Sequence, residues 1–150
     1  MRKLSTTIIC AFILISGFSQ TELIVEKDNI KKLILSAYID GIHNKGDIAQ
    51  TEKGFHPGFD LLILQNNKLE KLPIYNWIES SKERKTKNPI PFTDDEMTKC
   101  EFLDIDISGT AAVAKIKLSK GGKDIFIDYL SLYKFNEGWK IVGKIYYRLP

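Results

Sequence analysis

Four strand-like runs close the chain, and they leave few folds open. They are Cys100 to Ile107, Ala111 to Leu118, Ile125 to Phe135 and Trp139 to Tyr147. Only residues 108–110, 119–124 and 136–138 separate them, with Ser108-Gly109, Lys120-Gly121-Gly122-Lys123 and Asn136-Glu137-Gly138 as the turn residues. Segments this short reverse a chain but cannot carry it across a sheet, so the runs predict an antiparallel meander. Side-chain alternation marks its dry and wet faces. Ala112, Ala114, Ile116 and Leu118 oppose Lys115 and Lys117, while Trp139, Ile141 and Ile145 oppose Lys140 and Lys144.

The third run departs from this pattern. Phe126, Leu130 and Leu132 point one way, and Ile125, Ile127, Tyr129 and Tyr133 point the other. A strand apolar on both sides calls for cover on both sides. One cover is a helical layer; the other is a second copy of the chain, which predicts a homodimer through the outer sheet face. The alternative is a wet outer face with the tyrosine hydroxyls in water. Asp128 shares the inner face with Phe126, Leu130 and Leu132. A carboxylate among apolar neighbours is costly unless hydrogen-bonded or paired. Asp128 is therefore either a pocket acid or base with a raised pKa, or a structural acceptor satisfied by backbone or a tyrosine hydroxyl.

Upstream, Ile30, Leu33, Ile34, Ala37, Tyr38, Gly41 and Ile42 recur with the spacing of an amphipathic helix. Asp28 is the expected N-cap, and Gly46 the left-handed residue that ends the helix. Asp47 caps a short second helix carrying Ile48 and Phe55, which stops near Gly54 and Pro57. Phe59 to Leu64 and Leu69 to Leu72 read as a hairpin turned by Asn66-Asn67. Pro73 opens a third helix with Ile74, Trp77 and Ile78 on one side. Residues 80–99 read as a connector, basic then acidic, in which Pro89 and Pro91 forbid a continuous helix. Helices on one face of an antiparallel sheet make an α+β domain.

At 150 residues there is room for one such core. The chain opens with Arg2 and Lys3, the apolar run Ile8 to Ile15, and small residues Ser16, Gly17 and Ser19. This is the pattern of a cleaved export signal over residues 1–19, leaving a single domain over 20–150. The greasy run is shorter than the roughly 20 residues a span needs, so no stable membrane insertion is expected once the signal is removed. Periplasmic or secreted location follows. Without Arg2 and Lys3 the 22 basic residues become 20 against 19 acidic ones, too balanced for a nucleic-acid binder. Cys10 leaves with the signal, and Cys100 then reads as a small buried hydrophobe at a strand start.

His43 lies between Asp40 and Asp47 at the end of the first helix, where a solvated position is expected; Asp40 falls off the buried stripe. No metal site is expected. His56, in Gly54-Phe55-His56-Pro57-Gly58-Phe59, sits in a turn that either packs locally or points the imidazole at a ligand. No zinc-peptidase, P-loop, dinucleotide or nucleophile-elbow pattern is present, and no cofactor is expected.

The order helix, short helix, hairpin, helix and four-stranded meander resembles the nuclear transport factor 2-like superfamily, which includes SnoaL-like proteins. The local motifs are closer to its bacterial branch labelled "putative lumazine-binding". They are Tyr38-Ile39-Asp40-Gly41, Gly46-Asp47, Phe55-His56-Pro57, Ile105 to Ala114, Asp128 to Lys134, and Gly138 to Tyr146. The resemblance spans Ile30 to Tyr147 and implies a cone-shaped barrel, a curved antiparallel sheet packed on three helices around a pocket. It also implies dimerisation through the sheet. The family places a small or acidic group after the His-Pro pair, where this chain has Gly58-Phe59.

Three functions are then in play. The first is an exported, non-catalytic binding or accessory domain for a small aromatic or cyclic ligand. Tyr38, Trp77 and Trp139 would supply stacking surface, and His56 and Asp128 would orient the ligand. The second, implied by ketosteroid isomerases and polyketide cyclases of the same superfamily, is an isomerase or cyclase using Asp128 or His56 as catalytic acid–base. The third is a protein-binding module using the tyrosine-rich sheet face.

Overall fold

The computed structural model describes residues 19–150. The export segment expected over 1–19 lies outside the described residues except for Ser19. Helix α1 (Gln20–Leu33) runs without a break into a π-helical segment (Ile34–His43), followed by α2 (Ile48–Gly54). Strands β1 (Phe55–Gln65) and β2 (Lys68–Pro73) form a hairpin, and α3 (Ile74–Lys87) follows. The chain ends with β3 (Lys99–Ser108), β4 (Ala111–Lys120), β5 (Lys123–Phe135) and β6 (Gly138–Arg148). One six-stranded sheet has the order β2-β1-β6-β5-β4-β3. All neighbours are antiparallel except β1 and β6, which run parallel. The architecture is the expected α+β layer, a curved, unclosed sheet on three helices.

The meander forms where the residue pattern places it, and Asn66 and Asn67 turn the hairpin at φ 50° and 59°. Three helix boundaries differ from expectation. The first helix starts at Ser19 rather than Asp28. The Ser19 hydroxyl accepts from the Glu22 N–H while a Glu22 carboxylate oxygen accepts from the Ser19 N–H, a reciprocal cap that satisfies two free donors. The left-handed residue after the π segment is Lys45, φ 59°, and not Gly46. Gly46 is needed for closeness instead: its N–H donates to the Asp40 carbonyl at 2.7 Å, and a Cβ there would press on the Asp40 backbone. Helix α3 runs on to Lys87 through residues read as connector, and ends just ahead of Pro89.

The core lies between the inner sheet face and the helices. Tyr38, Ile30, Ile34, Phe59, Ile116, Leu118, Leu130, Leu132 and Ile141 are almost wholly buried. Each such aliphatic side chain contributes about 1.5–3 kcal/mol of transfer free energy. Two irregularities tune what faces this core. In the π segment, hydrogen bonds close over five residues instead of four, so side chains five apart lie above one another. In β6, Ser131 pairs with Gly143 and the next residue, Leu132, with Ile141. Val142 is the extra residue of a β-bulge, and the side-chain alternation changes phase across it.

Candidate functional site

The phase change decides the chemistry. Ahead of the bulge Trp139 and Ile141 point inward; beyond it Lys144 and Tyr146 do, and Ile145 turns outward. Lys144, expected on the wet face, is therefore among the buried residues, and Ile145 is half exposed. Strict alternation through Val142 and Gly143 would have given the opposite. On the neighbouring strand Asp128 pairs with Tyr146 and Leu130 with Lys144, so the carboxylate and the ammonium are diagonal neighbours on one face. The π segment lowers Tyr38 onto both.

The three groups form a closed polar cluster. The Tyr38 hydroxyl donates to Asp128 Oδ2 at 2.6 Å, and Lys144 Nζ donates to the same oxygen at 2.7 Å. Lys144 also donates to the Tyr38 oxygen. Tyr38 and Asp128 have no exposed surface. Of the two readings of Asp128, its Oδ2 is thus engaged as a structural acceptor of a tyrosine hydroxyl, with an ammonium added. Its Oδ1 is buried and has no partner. Burial drives the Tyr38 hydroxyl pKa well above its ordinary value, and the Asp128 charge and hydrogen bond add to this. Burial also depresses the Lys144 ammonium, against the opposing pull of Asp128.

Aromatic faces enclose the ammonium. Nζ lies 4.7 Å from the Tyr38 ring centroid, 5.3 Å from Tyr146 and 5.5 Å from Trp77, within cation–π range. Lys144 forms part of the wall of a cavity of about 150 Å³, whose other walls are His43, Leu61, Trp77, Phe126 and Tyr146. His43 is not the solvated helix end expected of it. Five residues after Tyr38, it is carried over that ring by the π geometry, with ring centroids 4.8 Å apart. In an α-helix the two would stand about 140° apart. Its Nε2 is buried without a partner. Burial, then the Lys144, Arg84 and Lys120 charges, lower its pKa to about 3.

Of the expected ligand residues, Tyr38, Asp128 and Trp77 converge here. His56 and Trp139 do not. His56 Nδ1 accepts from the Gly58 N–H at 3.0 Å, and its ring stacks on Phe135 at 5.0 Å. Phe135 is seven residues along β5 from Asp128, about 20 Å at strand rise. Gly58 accommodates this local turn, since a Cβ there would crowd the imidazole. Trp139 Nε1 donates to Glu26 at 2.5 Å, and Lys134 donates to the same carboxylate at 2.9 Å. The indole bond first, and Lys134 second, hold that carboxyl below its usual pKa. Trp139 thus fastens α1 to the sheet. Sequence reasoning missed Lys144, Tyr146 and His43, and only the glycine at 143 hinted at a bulge. Among the described residues no three of His, Cys, Asp and Glu gather as metal ligands. Burial, with Asp128 and Glu101 nearby, pushes the Cys100 thiol up to about 12, far from a reactive thiolate.

A curved, unclosed six-stranded sheet packed on three helices is the nuclear transport factor 2-like fold. The family model described as "Putative lumazine-binding" matches residues 26–147, and the chain belongs to that family. Solved structures agree on the fold. A nuclear transport factor 2-like protein of unknown function from Shewanella baltica is 27% identical, with TM-score 0.66 over 85% of this chain and 96% of that one. One from Silicibacter pomeroyi is 17% identical, with TM-score 0.67 over 88% and 100%. A third, from Methylobacillus flagellatus, is 19% identical, with TM-score 0.63 over 85% and 94%. No curated protein matches the chain.

Proposed function

We propose that this protein is an exported, non-catalytic binding protein for a small planar ring compound, held in the cavity beside Lys144. The observation that carries the reading is a buried, hydrogen-bonded ammonium at the wall of a mainly aromatic pocket. Trp77, Tyr146 and Phe126 offer ring faces and edges to stack on, and Lys144 offers a fixed donor to an acceptor on the ligand's rim. At about 150 Å³ the cavity falls below the roughly 300–1,000 Å³ of drug-sized sites, which favours one or two fused rings. The family description points to a ligand of this kind, lumazine being a two-ring heterocycle. Asp128 is tied to Tyr38 and Lys144 through Oδ2, which favours a positioning role over that of a free general base.

The outer face of the sheet suits a second copy of the chain. Val113, Tyr129, Tyr133, Ile145 and Tyr147 are 38–62% exposed there. A shallow groove of about 320 Å³ runs between Val113 and Tyr133. Export rests on the basic, apolar and small-residue sequence of the first 19 positions.

Binding is tested by titrating lumazine, flavin and simpler heterocycles against tryptophan fluorescence. Trp77 emission quenches saturably if the cavity is the site. Quenching that survives Trp77→Phe but vanishes with Trp139→Phe would place the ligand elsewhere.

A further inference from the structure

We propose that the Lys144 amine captures a small aromatic aldehyde as a protonated imine, with Asp128 as its counter-ion. This rests on the cavity being a ligand site and names a substrate class for it. Lys144 is the one buried lysine among the described residues, and it lines the cavity. Two of its three N–H donors go to Asp128 and Tyr38, leaving one toward the aromatic walls. An ammonium withdrawn from water gives up a proton more readily than a surface lysine, which favours nucleophilic use. The acceptor for that proton is in place: Asp128 Oδ2 is 2.7 Å away, and Oδ1 is buried and free.

The step closes in atoms and charge. Asp128 takes one proton from the ammonium, and the amine lone pair forms a bond to the carbonyl carbon. The C=O π pair moves to oxygen, and a proton passes from nitrogen to that oxygen, with the Tyr38 hydroxyl placed to relay it. Asp128 returns its proton to the resulting hydroxyl, which leaves as water while the nitrogen lone pair makes the C=N bond. The ion pair of ammonium and carboxylate becomes one of iminium and carboxylate. No redox partner is needed, and the burial of Asp128 and Lys144 away from bulk water favours the dehydrated product. The walls Trp77, Tyr146 and Phe126 select a flat aromatic carbonyl over an aliphatic one.

The test uses the folded wild-type protein, benzaldehyde and sodium cyanoborohydride, read by intact mass and peptide mapping. One benzyl adduct is expected on Lys144, forming faster than on the exposed Lys31 or Lys68. Lys144→Arg should remove that adduct. Lumazine should slow it in the wild type, a readout independent of how the variant folds. Adducts confined to exposed lysines would overturn the inference. If lumazine still quenches Trp77 while Lys144 stays unlabelled, imine capture alone fails. If neither occurs, the ligand-site reading fails with it.

Discussion

Lys144 depends on partners that depend on it in turn. Removing the ammonium leaves Asp128 as a buried, uncompensated charge. Lys144→Met is therefore expected to cost about 3–5 kcal/mol in urea unfolding. The double variant Lys144→Met/Asp128→Leu should recover part of that loss, since both charges then leave the core together. A double variant as unstable as the sum of the singles would mean that the two groups do not interact. His43 has the opposite character, a buried nitrogen with nothing to satisfy. Its folded pKa of about 3 lies below the ordinary 6.5, so between those values the unfolded chain holds a proton the folded one lacks. Its contribution is complete above pH 6.5 and is lost as pH falls toward 3, by about 3–5 kcal/mol in all. His43→Phe should leave the neutral-pH melting temperature unchanged or raised and flatten that acid limb; an unaltered limb would contradict it. At this scale Asp128 was legible, because a carboxylate among Phe126, Leu130 and Leu132 stands out in any alternating pattern. Its tyrosine partner was foreseen as a type, though not as Tyr38. Lys144 was illegible, since nothing in its own identity sets it apart from Lys140.

Among elements, the two irregular ones build the site. The bulge at Val142 turns Lys144 and Tyr146 inward, and the π segment sets His43 over Tyr38. Deleting Val142 alone would remove the bulge yet leave Gly143 opposite Ser131 and Lys144 opposite Leu130, still inward, whereas deleting Val142 and Gly143 together would send Lys144 to solvent and bring Ile145 into the core. The double deletion is expected to lose ligand quenching together with several kcal/mol of stability; retention of both would show that the side-chain phase of β6 does not position the site. Helix packing makes a second prediction. A Cβ on Gly41 would collide with the Thr51 hydroxyl, which donates to the Ala37 carbonyl, whereas a Cβ on Gly143 meets nothing. Gly41→Ala should destabilise by about 1–3 kcal/mol and Gly143→Ala much less, as thermal melts would reveal. Strand positions were readable because turn residues and period-two alternation are local signals. Helical stripes were readable in the same way, through Ile30, Ile34 and Tyr38. The bulge and the π geometry were not, because each adds a single residue per turn or strand and leaves composition unchanged. The α1 start was hidden because Ser19 also reads as the end of an export signal.

At the level of the whole molecule, the helices cover one face of the sheet, and the other carries an exposed apolar patch on β4, β5 and β6. The exposed Val113, Tyr133 and Tyr129 lie side by side across β4 and β5, as a contact between two copies requires. Sedimentation should return a dimer, and Tyr133→Asp should shift it to monomer without changing the melt of the isolated fold. A wild-type monomer at high concentration would remove that interface. α1 is fastened to β5 and β6 through Glu26, Lys134 and Trp139, none of which lines the cavity, so Trp139→Phe is expected to lower stability by about 1–3 kcal/mol and spare binding. That variant also leaves Trp77 as the sole tryptophan. Its fluorescence, titrated with lumazine and smaller heterocycles, is the decisive measurement. Saturable quenching that Lys144→Met abolishes is the expected result. A folded Trp139→Phe protein whose Trp77 emission stays constant across the series would contradict a ligand pocket at Lys144.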